Sequence, residues 1–194
     1  MSKTEEACLQ RWRKELLEQV SGDVLEIGAG TGANIKFYPT SINSLVLSEP
    51  DKNMRKQIED KITDSHRHNI SVTTCSAEKI KADDNSFDFV VSALVCCSVK
   101  SLEATFAEIK RVLKPGGSLV FMEHVAAEKG TSRRVWQHRI NPIWRKVAGN
   151  CHLIRETESE IINAGFEIKS IKRESMRKAI PIVRPTIRGI AVKL

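Results

Sequence analysis

The chain has 194 residues, 41% apolar and 28% charged, with a net charge of +7. That length most simply gives a single domain spanning 1–194 with chain enough to bury a core, and the composition excludes disordered and fibrous classes. Five cysteines without a C-x-x-C pair or metal-type histidine spacing exclude a disulfide framework, give no metal ligand set and point to a reducing, cytoplasmic compartment.

The first twenty residues carry eight charges, from Lys3 to Glu18, so they form no signal peptide, and no later apolar run approaches a membrane span. Residues 5–20 instead read as an amphipathic helix with Cys8, Leu9, Trp12, Leu16, Leu17 and Val20 on one face. Its place before the next motif suggests that it lies across a ligand mouth; simple packing against the core is the equal alternative.

That motif is Asp23-Val24-Leu25-Glu26-Ile27-Gly28-Ala29-Gly30-Thr31-Gly32-Ala33-Asn34. It reads as a buried strand, a glycine loop and the start of a helix, the first crossover of a nucleotide-binding α/β sheet. The spacing is G-x-G-x-G, not the G-x-G-x-x-G of dinucleotide enzymes. Glu26, two residues before the first glycine, suits an ammonium or holds the loop, and does not suit a pyrophosphate. This favours S-adenosylmethionine (AdoMet) over NAD, with a ligand-free tight turn as the third reading.

Ser44–Glu49 forms a second strand ending in an acid. Glu49 lies about 20 residues after Gly28, the separation at which a carboxylate meets ribose hydroxyls in such sheets. Pro50 stops the strand, and Asp51 caps a helix running to about Ile62. Ile70–Cys75 is a third strand, with Ser76, Ala77 and Glu78 at its ligand-facing end, where Glu78 is placed to meet an adenine amino group. After a turn at residues 83–86, Phe87–Val95 is a nearly continuous apolar strand, as expected when helices cover both faces. Cys96 and Cys97 at its tip read as small core residues, with a redox-active or soft-metal-binding role as the alternative.

Ser101–Leu113 is a capped helix ended by Lys114-Pro115-Gly116-Gly117, and Ser118–His124 is a fifth strand. Residues 125–153 form a less regular insertion, long enough to be a lid or binding loop. A helix at Glu156–Ala164 and strands at Phe166–Ile171 and Ile187–Val192 complete the chain. Residues 129–194 hold 15 Lys/Arg against 5 Asp/Glu, a basic surplus suited to anionic lipid, nucleic acid, an acidic substrate or plain solvent.

The glycine loop, Glu49, Ser86-Phe87-Asp88 and Leu113-Lys114-Pro115-Gly116-Gly117 together resemble the class I AdoMet-dependent methyltransferases. The resemblance implies a doubly wound, Rossmann-like α/β fold with a seven-stranded, mostly parallel sheet in the order 3-2-1-4-5-7-6. It implies a cofactor-facing set of Glu26, Gly28, Ala29, Gly30, Gly32, Glu49, Pro50, Ala77, Glu78 and Leu94. Further blocks resemble the methyltransferase-like thiol S-methyltransferases of the endoplasmic reticulum and lipid droplets: 94–100, 121–128, Trp136-Gln137, Asn141-Pro142-Ile143-Trp144, 151–156 and Val183-Arg184-Pro185. They imply S-methylation of small alkyl thiols, and the basic C-terminal third suits peripheral contact with a membrane. The charged N-terminal helix stands where those proteins carry an apolar anchor, and Ser76 stands where many class I enzymes carry an adenine-binding Asp.

Methyl transfer to a thiol needs alignment and a deprotonated sulfur, and His124 at the tip of the fifth strand is the candidate base. His138 and His152 are weaker candidates, and a structural tie is the alternative for His124. A quinone, lipid or arsenical acceptor is the nearest rival reading. A nucleic-acid substrate is disfavoured, because strand four lacks an Asn/Asp-Pro-Pro-aromatic block and the chain has no Pro-Cys pair.

Overall fold

In the computed structural model, which describes residues 2–65 and 67–194, one sheet of seven strands organises the chain. The strands are β1 (Asp23–Ile27), β2 (Ser44–Ser48), β3 (Ile70–Thr73), β4 (Phe87–Ala93), β5 (Leu113–His124), β6 (Phe166–Ser175) and β7 (Pro185–Lys193). Their order is β3-β2-β1-β4-β5-β7-β6. β1 to β5 run parallel, and β7 lies antiparallel between β5 and β6.

Both faces of the sheet are covered. Leu45, Leu47, Val91 and Val120 face a layer that contains Trp12, Leu17 and Ile58. Leu25, Ile27, Val90, Leu119 and Phe121 face the opposite layer with Phe106, Ile109 and Ile161. The apolar runs of β1 and β4 follow from this: a strand buried on both sides has no polar face to alternate with.

The helices are α1 (Ser2–Thr4), α2 (Gln10–Leu17), α3 (Lys52–Ser65), α4 (Leu102–Val112), α5 (Ser132–Val147) and α6 (Thr157–Asn163), with a π-helical turn Glu5–Leu9 between α1 and α2. The N-terminal segment is therefore helical from residue 2, and not one regular α-helix over 5–20. The caps behave as the sequence suggests. Asp51 Oδ1 accepts from the amides of Asn53 and Met54 at 2.8 and 2.9 Å, and Ser101 Oγ accepts from Ala104 N at 3.1 Å.

Four further features differ from the sequence reading. No α-helix follows the glycine loop: turns lead to a three-residue 3-10 segment, Ile35–Phe37, and Pro39 then forces Tyr38 into extended backbone. Lys114–Gly117 is an unpaired excursion inside β5, since Phe87 pairs with Leu113 and Phe89 already pairs with Ser118. β6 continues to Ser175, because its outer, polar half is held by β7. The insertion 125–153 is mostly the sixteen-residue helix α5, which runs through Pro142.

Candidate active site

The carboxyl ends of the parallel strands gather the residues singled out from the sequence. Gly28 turns the chain at φ 56°, and a Cβ there would lie 2.7 Å from both Val95 methyl groups. Gly30 also has a positive φ, 57°, but no heavy atom lies within 4 Å of where its Cβ would be. The first glycine lets β1 meet the loop after β4. The second leaves bare backbone facing open space, which is what a closely approaching ligand requires.

Glu49 stands across from this bend. Its Oε2 accepts from Gly30 N at 2.8 Å and its Oε1 from Asp51 N at 2.9 Å. Ala29 N donates to Ser48 O at 3.0 Å, tying the loop to the end of β2. Pro50 follows directly. Ala77 and Glu78 follow β3, and Glu78 Oε1 accepts from Lys100 N at 2.7 Å, which joins the β3 and β4 tips. Leu94 closes the arc at φ 64°, a left-handed conformation that costs a branched side chain about 1–3 kcal/mol. Glu26, Gly28, Ala29, Gly30, Gly32, Glu49, Pro50, Ala77, Glu78 and Leu94 thus lie at the ends of β1 to β4.

Glu26 differs from the others. It is 2% exposed, and its oxygens accept from Asn34 Nδ2 at 2.8 Å and Tyr38 Oη at 2.7 Å. Arg13 Nη1 reaches Asn34 Oδ1 at 2.5 Å, so the N-terminal segment is bonded to the glycine loop through this chain of groups. Burial pushes the Glu26 carboxyl up to about 7 against the two donated hydrogen bonds. Here Glu26 holds the loop, the second of its two roles suggested by sequence. α2 does not simply span the mouth: Trp12 lies against Arg188 of β7, 5.5 Å from ring centre to guanidinium carbon, while Arg13 reaches the loop.

The ends of β4 and β5 carry different chemistry. Glu123 is fully buried and turned toward β4, accepting from Ser92 Oγ at 2.6 Å and Cys96 N at 3.0 Å, and desolvation raises its carboxyl. His124 points elsewhere, as strand alternation requires. It is 3% exposed, its Nδ1 lies 3.9 Å from Cys151 Sγ, and its Nε2 has no partner among the described residues. Cys97 lies beside the same pair, so it is no ordinary core cysteine, whereas Cys96 is packed in the apolar layer. The Cys151 thiol is drawn down to about 4, first by the Cys97 hydrogen bond and then by His124, while the Cys97 thiol is driven up.

The sequence reading did not join Cys97, His124 and Cys151. Each stands at the end of an element, and only the sheet order brings those ends together. His152 Nδ1 and Nε2 play no visible part in this group, but its amide donates to Cys97 O at 2.7 Å. His138 accepts from Arg134 Nε at 3.1 Å on α5, away from the strand tips. A cleft of about 900 Å³ opens beyond the β5 tip, lined by Ala127, Arg134, Glu156 and Ile187 among others, with no glycine-loop residue in its wall.

The geometry agrees with what the chain is similar to. The methyltransferase domain family matches residues 25–121. Human thiol S-methyltransferase TMT1A is 37% identical over 172 residues, covering 88% of this chain and 70% of that protein. Rat thiol S-methyltransferase TMT1B is 36% identical over 192 residues, covering 93% and 78%. Among solved structures, a geranyl diphosphate methyltransferase in complex with SAM superposes with a TM-score of 0.78 over 97% of this chain and 86% of that one, at 12% identity, which speaks to fold alone. The bare bend at Gly30, the carboxylate that clasps it, the sheet order and these similarities lead to one assignment: the chain belongs to the methyltransferase domain family, as an AdoMet-dependent enzyme related to the thiol S-methyltransferases.

Proposed function

We propose that residues 1–194 act as one domain that methylates the sulfur of a small alkyl thiol. The observation that carries the reading is the placement of an open glycine bend clasped by Glu49 on one side of the strand tips, and of buried His124 on the other. The names of the relatives supply the acceptor class. AdoMet brings an activated methyl group when bound. Glu49 would exchange its backbone contacts for the ribose hydroxyls, with Pro50 shaping that edge. Gly28, Ala29, Gly30 and Gly32 would line the amino-acid portion, and Glu26 would keep the loop in place from below. Ala77, Glu78 and Leu94 would bracket the adenine and the acceptor.

Alignment of sulfur, methyl carbon and leaving sulfur supplies most of the acceleration, on the order of 7–11 kcal/mol in favourable cases. A free thiol ionises near pH 8.5, so a group that accepts its proton helps most at neutral pH. His124 Nε2, buried and without a partner among the described residues, is the group we assign to that step.

The outer surface of α5 supports a peripheral membrane contact. Trp136, Ile143 and Val147 are 55%, 68% and 75% exposed, and Arg139, Arg145 and Lys146 lie among them. Gln137 and Asn141 hold the opposite side of α5 to the body. No helix among the described residues is long and apolar enough to cross a membrane. We therefore place the protein in the cytoplasm with α5 against an anionic lipid surface, such as that of the endoplasmic reticulum or a lipid droplet.

The deciding experiment is a screen with labelled AdoMet over alkyl thiols, quinones, lipids, trivalent arsenicals and RNA. A labelled thioether is expected. A methylated quinone with no thioether overturns the thiol reading.

A further inference from the structure

Three ligating side chains from distant parts of the chain meet at the acceptor end. Cys97 follows β4, His124 ends β5, and Cys151 follows α5. One ligand atom from each lies within 4.8 Å of the other two. Cys97 and His124 are buried, and Cys151 is half-buried, which leaves an approach from its side. The positions are fixed by the backbone around them: His152 N donates to Cys97 O at 2.7 Å, and Asn150 Nδ2 to Ser98 O at 2.9 Å. The arrangement is thus stapled across two loops and does not depend on one flexible side chain.

Two further observations point to a missing ligand. His124 Nε2 is buried without a partner among the described residues, and the Trp144 indole stands beside Cys151. An imidazole and an indole N–H are both suited to support a thiolate-rich centre, the indole by donating to sulfur. Glu123, next to His124 in sequence, is committed to Ser92 and Cys96. Two sulfurs and one nitrogen, with no carboxylate among them, do not suit magnesium or calcium. They suit zinc, whose sites with three protein ligands keep a fourth position open.

We propose that Cys97 Sγ, Cys151 Sγ and the His124 imidazole bind one Zn²⁺, and that the fourth position takes the sulfur of the thiol acceptor. This rests on the thiol reading above and deepens it. The acceptor R–SH binds the metal as R–S⁻, and its proton passes to solvent. The thiolate electron pair then forms the new S–CH₃ bond as the methyl carbon–sulfonium bond breaks. That bond's electron pair stays on the departing sulfur. Anion and sulfonium become two neutral thioethers, and a thioether is a weak zinc ligand, so the product leaves. In the metal-free protein His124 is free to take the proton itself. In the loaded protein it is a ligand, and the metal performs the deprotonation.

The test uses the full chain, stripped with a chelator, kept in a phosphine reductant and titrated with Co²⁺. One equivalent is expected to give an intense thiolate-to-cobalt charge-transfer band, displaced by Zn²⁺. The band is expected to vanish in Cys97→Ser and in Cys151→Ser and to persist in Cys8→Ser, whose sulfur lies under the N-terminal segment. An alkyl thiol is expected to shift the band, and its methyl thioether is not. Iodoacetamide labelling of the unaltered protein needs no variant to fold: Zn²⁺ is expected to slow labelling of Cys151 at least tenfold. Absence of the band, its survival in both serine variants, or equal labelling with and without zinc overturns the site. Thioether formation unchanged by metal stripping, with no cobalt band, overturns the metal centre and leaves the thiol activity standing. A cobalt band that no thiol perturbs, with no thioether in the screen, overturns the thiol reading and the acceptor role together.

Discussion

Glu49 and Glu26 are both buried acids at strand ends, yet they carry opposite burdens. Glu49 spends its oxygens on two loop amides that a ligand can replace. Glu49→Ala is expected to weaken AdoMet and demethylated-cofactor binding 10- to 100-fold by calorimetry, about 1.4–2.8 kcal/mol, with a much smaller change in the KM for thiol. Glu26 serves the fold. Its carboxyl sits at about 7 in the folded protein, above the 4.5 of the free group, so the folded state holds a proton that the unfolded chain has released between those values. Its contribution to stability therefore falls as pH rises through that window, by on the order of 3 kcal/mol in full. Against the unaltered protein, Glu26→Gln is expected to gain melting temperature from pH 5 to about pH 7 and to level off above it. A constant difference would show that Glu26 does not titrate there. For His124→Ala, assayed on metal-stripped protein, the loss of turnover is expected to be largest near pH 7 and to shrink toward pH 9, where the thiol ionises unaided. A loss independent of pH assigns His124 a structural role.

At the scale of elements, the N-terminal segment and the β6–β7 pair bear the most exacting contacts. Trp12 is 1% exposed against Arg188, whose guanidinium is also held by Glu15 at 2.8 Å and Glu174 at 2.6 Å. Trp12→Ala is expected to cost about 3–5 kcal/mol in denaturant unfolding. Gly189 pairs with Ile171 of β6, just past the register shift between Ile168 and Ser170, and a Cβ there would run into the Ser170 carbonyl. The strands were legible because two-sided burial writes long apolar runs, and the glycine loop because bare backbone needs glycine. α5 was not legible. It docks through buried Gln137 and Asn141 instead of an apolar stripe, so its periodicity pointed to no face. The excursion at Lys114–Gly117 was read as a turn before β5, since nothing local reveals that Leu113 already pairs with Phe87.

For the whole molecule, charge and apolar exposure converge on α5, on the side away from the sheet. Anionic vesicles are expected to sediment the protein and neutral ones to leave it in solution. Trp136→Ala with Ile143→Ala is expected to lower that binding about tenfold without altering turnover on a soluble thiol. Equal sedimentation with both vesicle types would remove the electrostatic part of the contact. The residues proposed to hold the cofactor could be grouped from the sequence because they cluster in the first half of the chain. The Cys97–His124–Cys151 group was not, since no spacing rule encodes the meeting of three element ends. The position of β7 has a consequence for synthesis. β7 lies between β5 and β6, and it is made after both of them. β6 has no neighbour to zip onto until residues 185–193 leave the ribosome, so half-made chains carry an unsheltered edge that only the final strand can close.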